Sequence, residues 1–200
     1  MQNFNFWILN DLTWIKTNPM PNFKGTRFTN AHENLIWASK SKDSKYTFNY
    51  KTMKLMNNNK QMRSDWLLNV CSGKERLKDK NNIKLHNAQK PEQLLERIVL
   101  ASTRVGDLVL DPFFGTGTTG VVCKRLGRKF IGIERKSSYL VAAKERILKI
   151  KRLQSKNLEN VTSDFREKRI AFSNLLKKGL IKPGNSLYDS RKKIRATVLS

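Results

Sequence analysis

Two hundred residues are enough for one domain with a buried core, or for one domain and a small appendage. Forty basic against 16 acidic side chains leave a net charge of +24, a field that favours a polyanion, most simply nucleic acid; the excess of Lys over Arg, 26 to 14, fits AT-rich coding but does not account for the shortage of acids. Cys71 and Cys123, far apart, rule out a disulfide framework and have no metal-ligand spacing, and no signal peptide or apolar run of membrane length is present, so a reducing cytoplasm is the expected setting, with no membrane partner and no metal.

In chain order, residues 6–15 are aromatic and β-branched with partial alternation and predict a strand. Residues 17–30, with Pro19, Pro21, Gly25 and several Asn, predict a loop, and residues 33–39 a second strand. Residues 40–90 carry 13 basic and four acidic side chains with Tyr46, Phe48, Tyr50 and Trp66 interleaved, a mixture suited to phosphate contact and base stacking but also to a solvated loop. Residues 65–70 read as a strand or short turn. Pro91 is placed to open a helix whose core face is Leu94, Leu95, Ile98 and Val99. Leu108 to Leu110 read as a buried strand, and Val121, Val122 and Leu126 as a helix stopped by Gly127. Residues 130–134 form a second buried strand ending in Glu134. Residues 137–152 predict a basic amphipathic helix capped at Ser137-Ser138, with Tyr139, Ala142, Ala143 and Ile147 on its buried stripe. Residues 172–184 read as a short helix and turn and 186–199 as a hairpin, within a stretch, 144–195, of 16 basic and five acidic residues.

The centre of this pattern is Val109-Leu-Asp-Pro-Phe-Phe-Gly-Thr-Gly-Thr-Thr-Gly120, a strand, a Gly-rich turn and a helix start. Glycine lets the backbone approach a ligand because it has no Cβ and tolerates positive φ. Gly115, Gly117 and Gly120 fit the dinucleotide spacing, with Glu134 lying 19 residues beyond Gly115 near the acid position of that fingerprint. A nicotinamide site, a methyl-donor site and a plain structural turn all share this skeleton.

Asp111-Pro112-Phe113 ahead of those glycines resembles the S-adenosylmethionine motif of DNA amino-methyltransferases. Residues 86–91 resemble the His-Pro-Thr-Gln-Lys-Pro motif of the same enzymes, departing from it at Asn87 and Ala88. Trp14, Lys16, Asn18 to Phe23, Arg27, Asn30 to Glu33 and Trp37 to Lys40 resemble the cell-cycle-regulated adenine methyltransferases that modify G-A-any-T-C sites. The resemblance implies an α/β, Rossmann-like methyltransferase sheet in the permuted (beta) order, residues 1–160 with a recognition insert at 40–85, and a basic DNA-binding extension at 161–200. It implies S-adenosyl-L-methionine as cofactor, held by Asp111, Pro112, Phe113, Gly115, Gly117, Thr118, Glu134, His86, Gln89 and Lys90. It implies double-stranded DNA as partner, contacted by Lys16, Asn18, Arg27, His32, Lys45, Arg191, Lys192, Lys193 and Arg195.

In that family an Asp-Pro-Pro-Tyr type tetrapeptide grips the target amino group and stacks the extruded base. Asn18-Pro-Met-Pro21 mimics it without the aromatic, and Asp111-Pro-Phe-Phe114 sits in the cofactor motif, so no catalytic tetrapeptide is found in this chain. The expectation is therefore the C-terminal portion of a site-specific DNA adenine methyltransferase, in restriction-modification or an epigenetic role, associated with a bacterial nucleoid. N-terminal sheet strands would be missing, and a complementing half or a second copy would be its protein partner. The competing expectation is an inactive DNA- and cofactor-binding remnant, or one half of a split enzyme.

Overall fold

The computed structural model describes residues 5–153 and the backbone of two strands further on. By contacts the chain forms two compact units, Met1–Asp164 and Phe165–Ser200. The first unit opens on β1 (Trp7–Lys16), which pairs antiparallel with β2 (His32–Ser39), from Trp7 opposite Ser39 to Ile15 opposite His32, with one irregularity between Ile8 and Asn10. A parallel strand β3 (Asp65–Leu68) joins the other edge of β1, giving the order β2-β1-β3. Trp14 is the pin of this sheet: its ring is buried, and its indole N–H donates to the Leu68 carbonyl at 2.9 Å.

Between these strands the chain forms α1 (Tyr50–Leu55), which the polar, basic composition of 40–90 concealed. Its Met53 is fully buried in the core, so part of the expected recognition insert is core structure. Helix α2 (Glu92–Ser102) follows, with Pro91 in the cap position where its missing N–H costs nothing. One side of α2 packs Leu94, Leu95 and Ile98 against Trp14, Trp66 and Leu68 of the three-stranded sheet. The other packs Val99 and Leu100 against Val122, Cys123 and Leu126 of α3 (Thr118–Arg125). Burial in this apolar setting pushes the Cys123 thiol up to about 11, which keeps it protonated and inert.

Helix α3 is the crossover between two parallel strands, β4 (Leu108–Asp111) and β5 (Lys129–Gly132), which form a separate two-stranded sheet. The two strands expected to be buried are covered on one face only: Val109 and Phe130 face α3, whereas Leu108 and Leu110, each 60 % exposed, point to the opposite face with Ile131. The expected strand over 130–134 thus ends at Gly132, and Ile133 and Glu134 belong to the turn that follows. Helix α4 (Ser137–Leu148) is shorter than the expected 137–152. Its cap position is Lys136, with no side-chain cap bond, so Ser137 begins the helix instead of capping it. Ala143 is buried, with Tyr139, Ala142 and Ile147 half-buried, as the stripe required.

In the second unit, β6 (Ser186–Asp189) and β7 (Ile194–Thr197) pair antiparallel as the hairpin expected over 186–199. The helix and turn expected over 172–184 lie outside the described residues.

Phe114 packs closely against two glycines. A Cβ built on Gly132 would lie 2.3 Å from the Phe114 Cγ, and one on Gly120 would lie 2.6 Å from its Cζ. Gly132→Ala should therefore cost about 1–3 kcal/mol by overpacking. Thermal unfolding of the variant should show a lower midpoint than that of the parent chain.

Candidate cofactor site

Strand β4 delivers Asp111 to the head of the Gly-rich turn. Its Oδ1 accepts the Phe113 N–H at 3.0 Å, and its Oδ2 accepts the Thr119 hydroxyl at 2.6 Å. One carboxylate thereby fixes both the start of the turn and the first turn of α3. The Phe114 N–H donates to the Ile133 carbonyl at 2.9 Å, and the Ile133 N–H donates to the Asp111 carbonyl at 2.9 Å, which ties the turn to the end of β5. The chain then needs left-handed backbone twice, at Gly115 (φ +52°) and Gly117 (φ +76°). Glycine takes those angles at no steric cost, where a side chain with a branched or bulky Cβ would be strained. Gly115 is constrained from outside as well, since a Cβ there would sit 3.3 Å from His86 Nε2.

Glu134 closes the turn from the β5 side. Its Oε2 accepts the Gly115 N–H and its Oε1 accepts the Lys136 N–H, each at 2.8 Å. These backbone N–H groups, Lys136 first, hold its carboxyl below the ordinary carboxylate value, so it is ionised at neutral pH. A carboxylate has roughly four lone-pair sites, which leaves acceptor capacity for a ligand diol.

The opposite wall comes from the segment before α2. His86 Nδ1 accepts the Ala88 N–H at 3.0 Å, and its ring lies 4.7 Å from that of Tyr139. Ala88, where the resembled motif carries a threonine hydroxyl, contributes its backbone N–H to His86. Both ends of the Gln89 amide meet backbone: its Oε1 accepts the Leu77 N–H at 3.0 Å, and its Nε2 donates to the Glu75 carbonyl at 2.8 Å. The Lys90 ammonium pairs with Glu33 on β2, and its carbonyl accepts the Thr118 hydroxyl at 3.3 Å. Between the walls lies an open cleft of about 220 Å³, lined among others by His86, Lys90, Asp111, Phe113, Gly115 and Thr118. Phe113, at 88 % exposure, stands at its rim, whereas its neighbour Phe114 is buried and stacks on Phe130 at 5.8 Å. Pro112 makes the bend between β4 and this rim.

Two acid-centred junctions hold the site together, and neither was visible in the sequence. Glu92, in the first turn of α2, pairs with Arg125 of α3 and, at 2.6 Å, with Arg146 of α4. Arg146 also donates to the Thr118 hydroxyl at 3.2 Å, so three helices and the Gly turn meet at one guanidinium. Glu33 pairs with Lys90 and, at 3.1 Å, with Lys16, which lies over the Trp14 ring. Burial pushes both carboxyls up, but the hydrogen bonds from their basic partners outweigh it and hold both below the ordinary value. Lys16 stands 17 residues from Glu33, and the other three partners stand 33, 54 and 57 residues away in the chain, distances at which no local motif could reveal them.

The residues expected to meet DNA fall in separate places. Lys16 and His32 stand at the end of the β1–β2 ladder where Ile15 faces His32, and Asn18 and Arg27 lie in the connection between these two strands. Lys16 is mostly buried by its ion pair, and Asn18 Oδ1 accepts the Val70 N–H at 2.8 Å, while Arg27 and His32 are exposed. Lys45 is exposed near the far end of β2, beside Tyr46, whose ring packs edge-on against Trp37 at 5.5 Å. Arg195 lies on β7 in the second unit, and Arg191, Lys192 and Lys193 are outside the described residues. Among the described residues no cluster could hold a metal ion, and no helix is long and apolar enough to cross a membrane.

A strand, a double-glycine turn and a helix, with an acid just beyond the next strand, belong to the Rossmann-like methyltransferase fold. The chain belongs to the N6/N4 DNA methylase family, whose profile matches residues 1–145. It is 50% identical over 189 residues to the type II methyltransferase M.HinfI of Haemophilus influenzae, covering 94% of this chain and 52% of that protein. It is 48% identical over 150 residues to M2.LlaDCHI of Lactococcus lactis subsp. cremoris, covering 74% of this chain and 54% of that one. The chain thus spans about half the length of the curated relatives it matches. Among solved structures, the M1.HpyAVI–SAM complex superimposes with a TM-score of 0.59 at 38% identity, over 73% of this chain and 65% of that chain. The cytosine-N4-specific PvuII DNA methyltransferase shares the fold, with a TM-score of 0.58 at 24% identity over 78% of this chain and 56% of its own.

The Glu92 junction makes a pH prediction. A carboxyl held below its ordinary value of 4.5 contributes stability that is complete above that value and is lost as pH falls through the lowered folded value. Glu92→Gln should therefore weaken the chain at neutral pH and flatten its loss of stability below about pH 4.5, read as the urea midpoint against pH.

Proposed function

We propose that this chain is the cofactor- and DNA-binding portion of a permuted-order adenine-N6 DNA methyltransferase acting on G-A-any-T-C sites. The observation that carries the reading is the Gly115–Gly117 turn held between Asp111 and Glu134 at the start of α3. S-adenosyl-L-methionine fits its chemistry. Asp111 and the open backbone at Gly115 would take the ammonium and methionine part, and Glu134 the ribose diol, with His86 and Phe113 walling the cleft. When bound, that cofactor supplies an electrophilic methyl group. The chain's own residues bind and orient it, and keep the Gly turn preformed so that little ordering remains on binding.

DNA as substrate is supported by the family, by the +24 charge, and by the exposed Arg27 and His32, which precede Glu33 and its link to Lys90 at the cofactor cleft. Adenine rather than cytosine as target rests on the Asn18–Glu33 block and its likeness to the G-A-any-T-C enzymes. Methyl transfer itself needs the Asp-Pro-Pro-aromatic element that these 200 residues do not contain, so we place it on a complementing half. The exposed apolar row Leu108, Leu110 and Ile131 favours such a half over an inert remnant, because central strands and their covering helices would bury it.

Three measurements test this. Calorimetric titration of Glu134→Ala with S-adenosyl-L-methionine should show affinity roughly tenfold or more weaker, from loss of a charged acceptor and of the turn's anchor; equal affinity would exclude the site. Affinity for duplex DNA should fall steeply between low and physiological salt as phosphate contacts release counterions. With a complementing half added, tritiated methyl transfer should yield N6-methyladenine in G-A-any-T-C duplexes and none without it; N4-methylcytosine would overturn the target.

A further inference from the structure

The connection between β1 and β2 is long and built, yet it spends two aromatic side chains on solvent. Asn22 organises it. Its Nδ2 donates to the Arg27 carbonyl at 3.0 Å, its Oδ1 accepts the Lys24 N–H at 3.3 Å, and its own carbonyl accepts the Gly25 N–H at 2.9 Å. Gly25 takes the left-handed angle, φ +62°, that the turn requires. The base of the connection is fastened by Asn18 to Val70, by Thr17 to Asn69, and by the Lys16 N–H to the Ala31 carbonyl at 2.8 Å. Phe23 lies within the Asn22–Arg27 closure and Phe28 just beyond it, and they are 84 % and 98 % exposed. A turn this well tied holds both rings out at little further entropic cost, which is the arrangement of side chains waiting for a surface.

The composition of the turn says which surface. Lys24 and Arg27 stand between the two rings, and residues 17–31 contain no acid. A second copy of this chain would bring the same +24 charge against it, whereas DNA offers phosphates for the cations and faces of bases for the rings. The turn also leaves the sheet next to Glu33, whose partner Lys90 accepts the Thr118 hydroxyl through its carbonyl at the cofactor cleft, so the base of the turn is joined to that cleft.

We propose that Phe23 and Phe28 are base-stacking side chains that enter the DNA at the destacked step, with Lys24 and Arg27 on the flanking phosphates. The inference rests on the DNA-binding reading above and adds to it the residues that compensate for lost base stacking. Apolar wedges of this kind partly unstack a base step, and aromatic stacking lets a protein hold the opened bases.

The test uses the 200-residue chain and a duplex carrying 2-aminopurine at the adenine of one G-A-any-T-C site. Phe23→Ala with Phe28→Ala should leave the melting curve unchanged, since both rings are exposed, and should leave the salt slope of binding unchanged, since the cations remain. Affinity should drop roughly tenfold or more, and the fluorescence rise that reports destacking should disappear. Phe23→Leu with Phe28→Leu should keep most of that rise as an apolar wedge, with weaker affinity. An alanine pair that binds and destacks like the parent overturns the inference while leaving the DNA reading intact. So does an alanine pair that changes only self-association in sedimentation. A parent chain that binds no duplex even at low salt overturns the DNA reading itself, and the inference with it.

Discussion

The ring of Phe114 occupies the space in which side chains at 120 and 132 would stand. It lies against Gly120 at the start of α3 and Gly132 at the end of β5, and it stacks on Phe130. The rest of the site depends on this packing. With Phe114 seated, the next residues must reverse direction within a few bonds, which is why Gly115 and Gly117 take left-handed angles. The reversal aims the Gly115 N–H at Glu134 and exposes the backbone between them to the cleft. A buried apolar contact thus does the preorganising that a ligand would otherwise have to do on binding.

Four of the 16 acids of this basic chain join elements. Glu92 gathers α2, α3 and α4, while Glu33 joins the three-stranded sheet to Lys90 at the cleft. Asp111 and Glu134 hold the turn. A surface left so rich in Lys and Arg attracts phosphate, while Lys90 and Arg146 beside the cofactor cleft are neutralised by Glu33 and Glu92. The two sheets are linked by packing through α2 and by these junctions, since among the described residues no strand of one pairs with a strand of the other.

Much of this was legible in the sequence because its signals are local. The β4–turn–α3 unit was written in Leu108 to Leu110, three glycines and a helical spacing, and α2 in Pro91 and its apolar face. The two aromatic strands came out within a residue of their observed ends. Features that depend on distant partners were not legible. Met53 reads as one apolar residue in a polar insert until α2 packs on it, and Phe114 looks equivalent to Phe113 until Gly132 makes room for its ring. The acid of Glu134 was found, but its service to the Gly115 and Lys136 N–H groups needs the turn in three dimensions. Ser137 looked like a cap because serine favours that position, yet the turn set by Glu134 and Lys136 starts the helix one residue earlier than a Ser137 cap would require.

The central claim is that the Phe114-seated turn, closed by Asp111 and Glu134, is where S-adenosyl-L-methionine binds. Amide hydrogen exchange of the chain, followed by mass spectrometry with and without that cofactor, tests it most directly. The account predicts slowed exchange in the peptides spanning 111–120 and 133–139, and in 86–90, with 7–16 and 32–39 unchanged. Unchanged exchange throughout under saturating cofactor, or protection confined to the β1–β2 sheet, would contradict it.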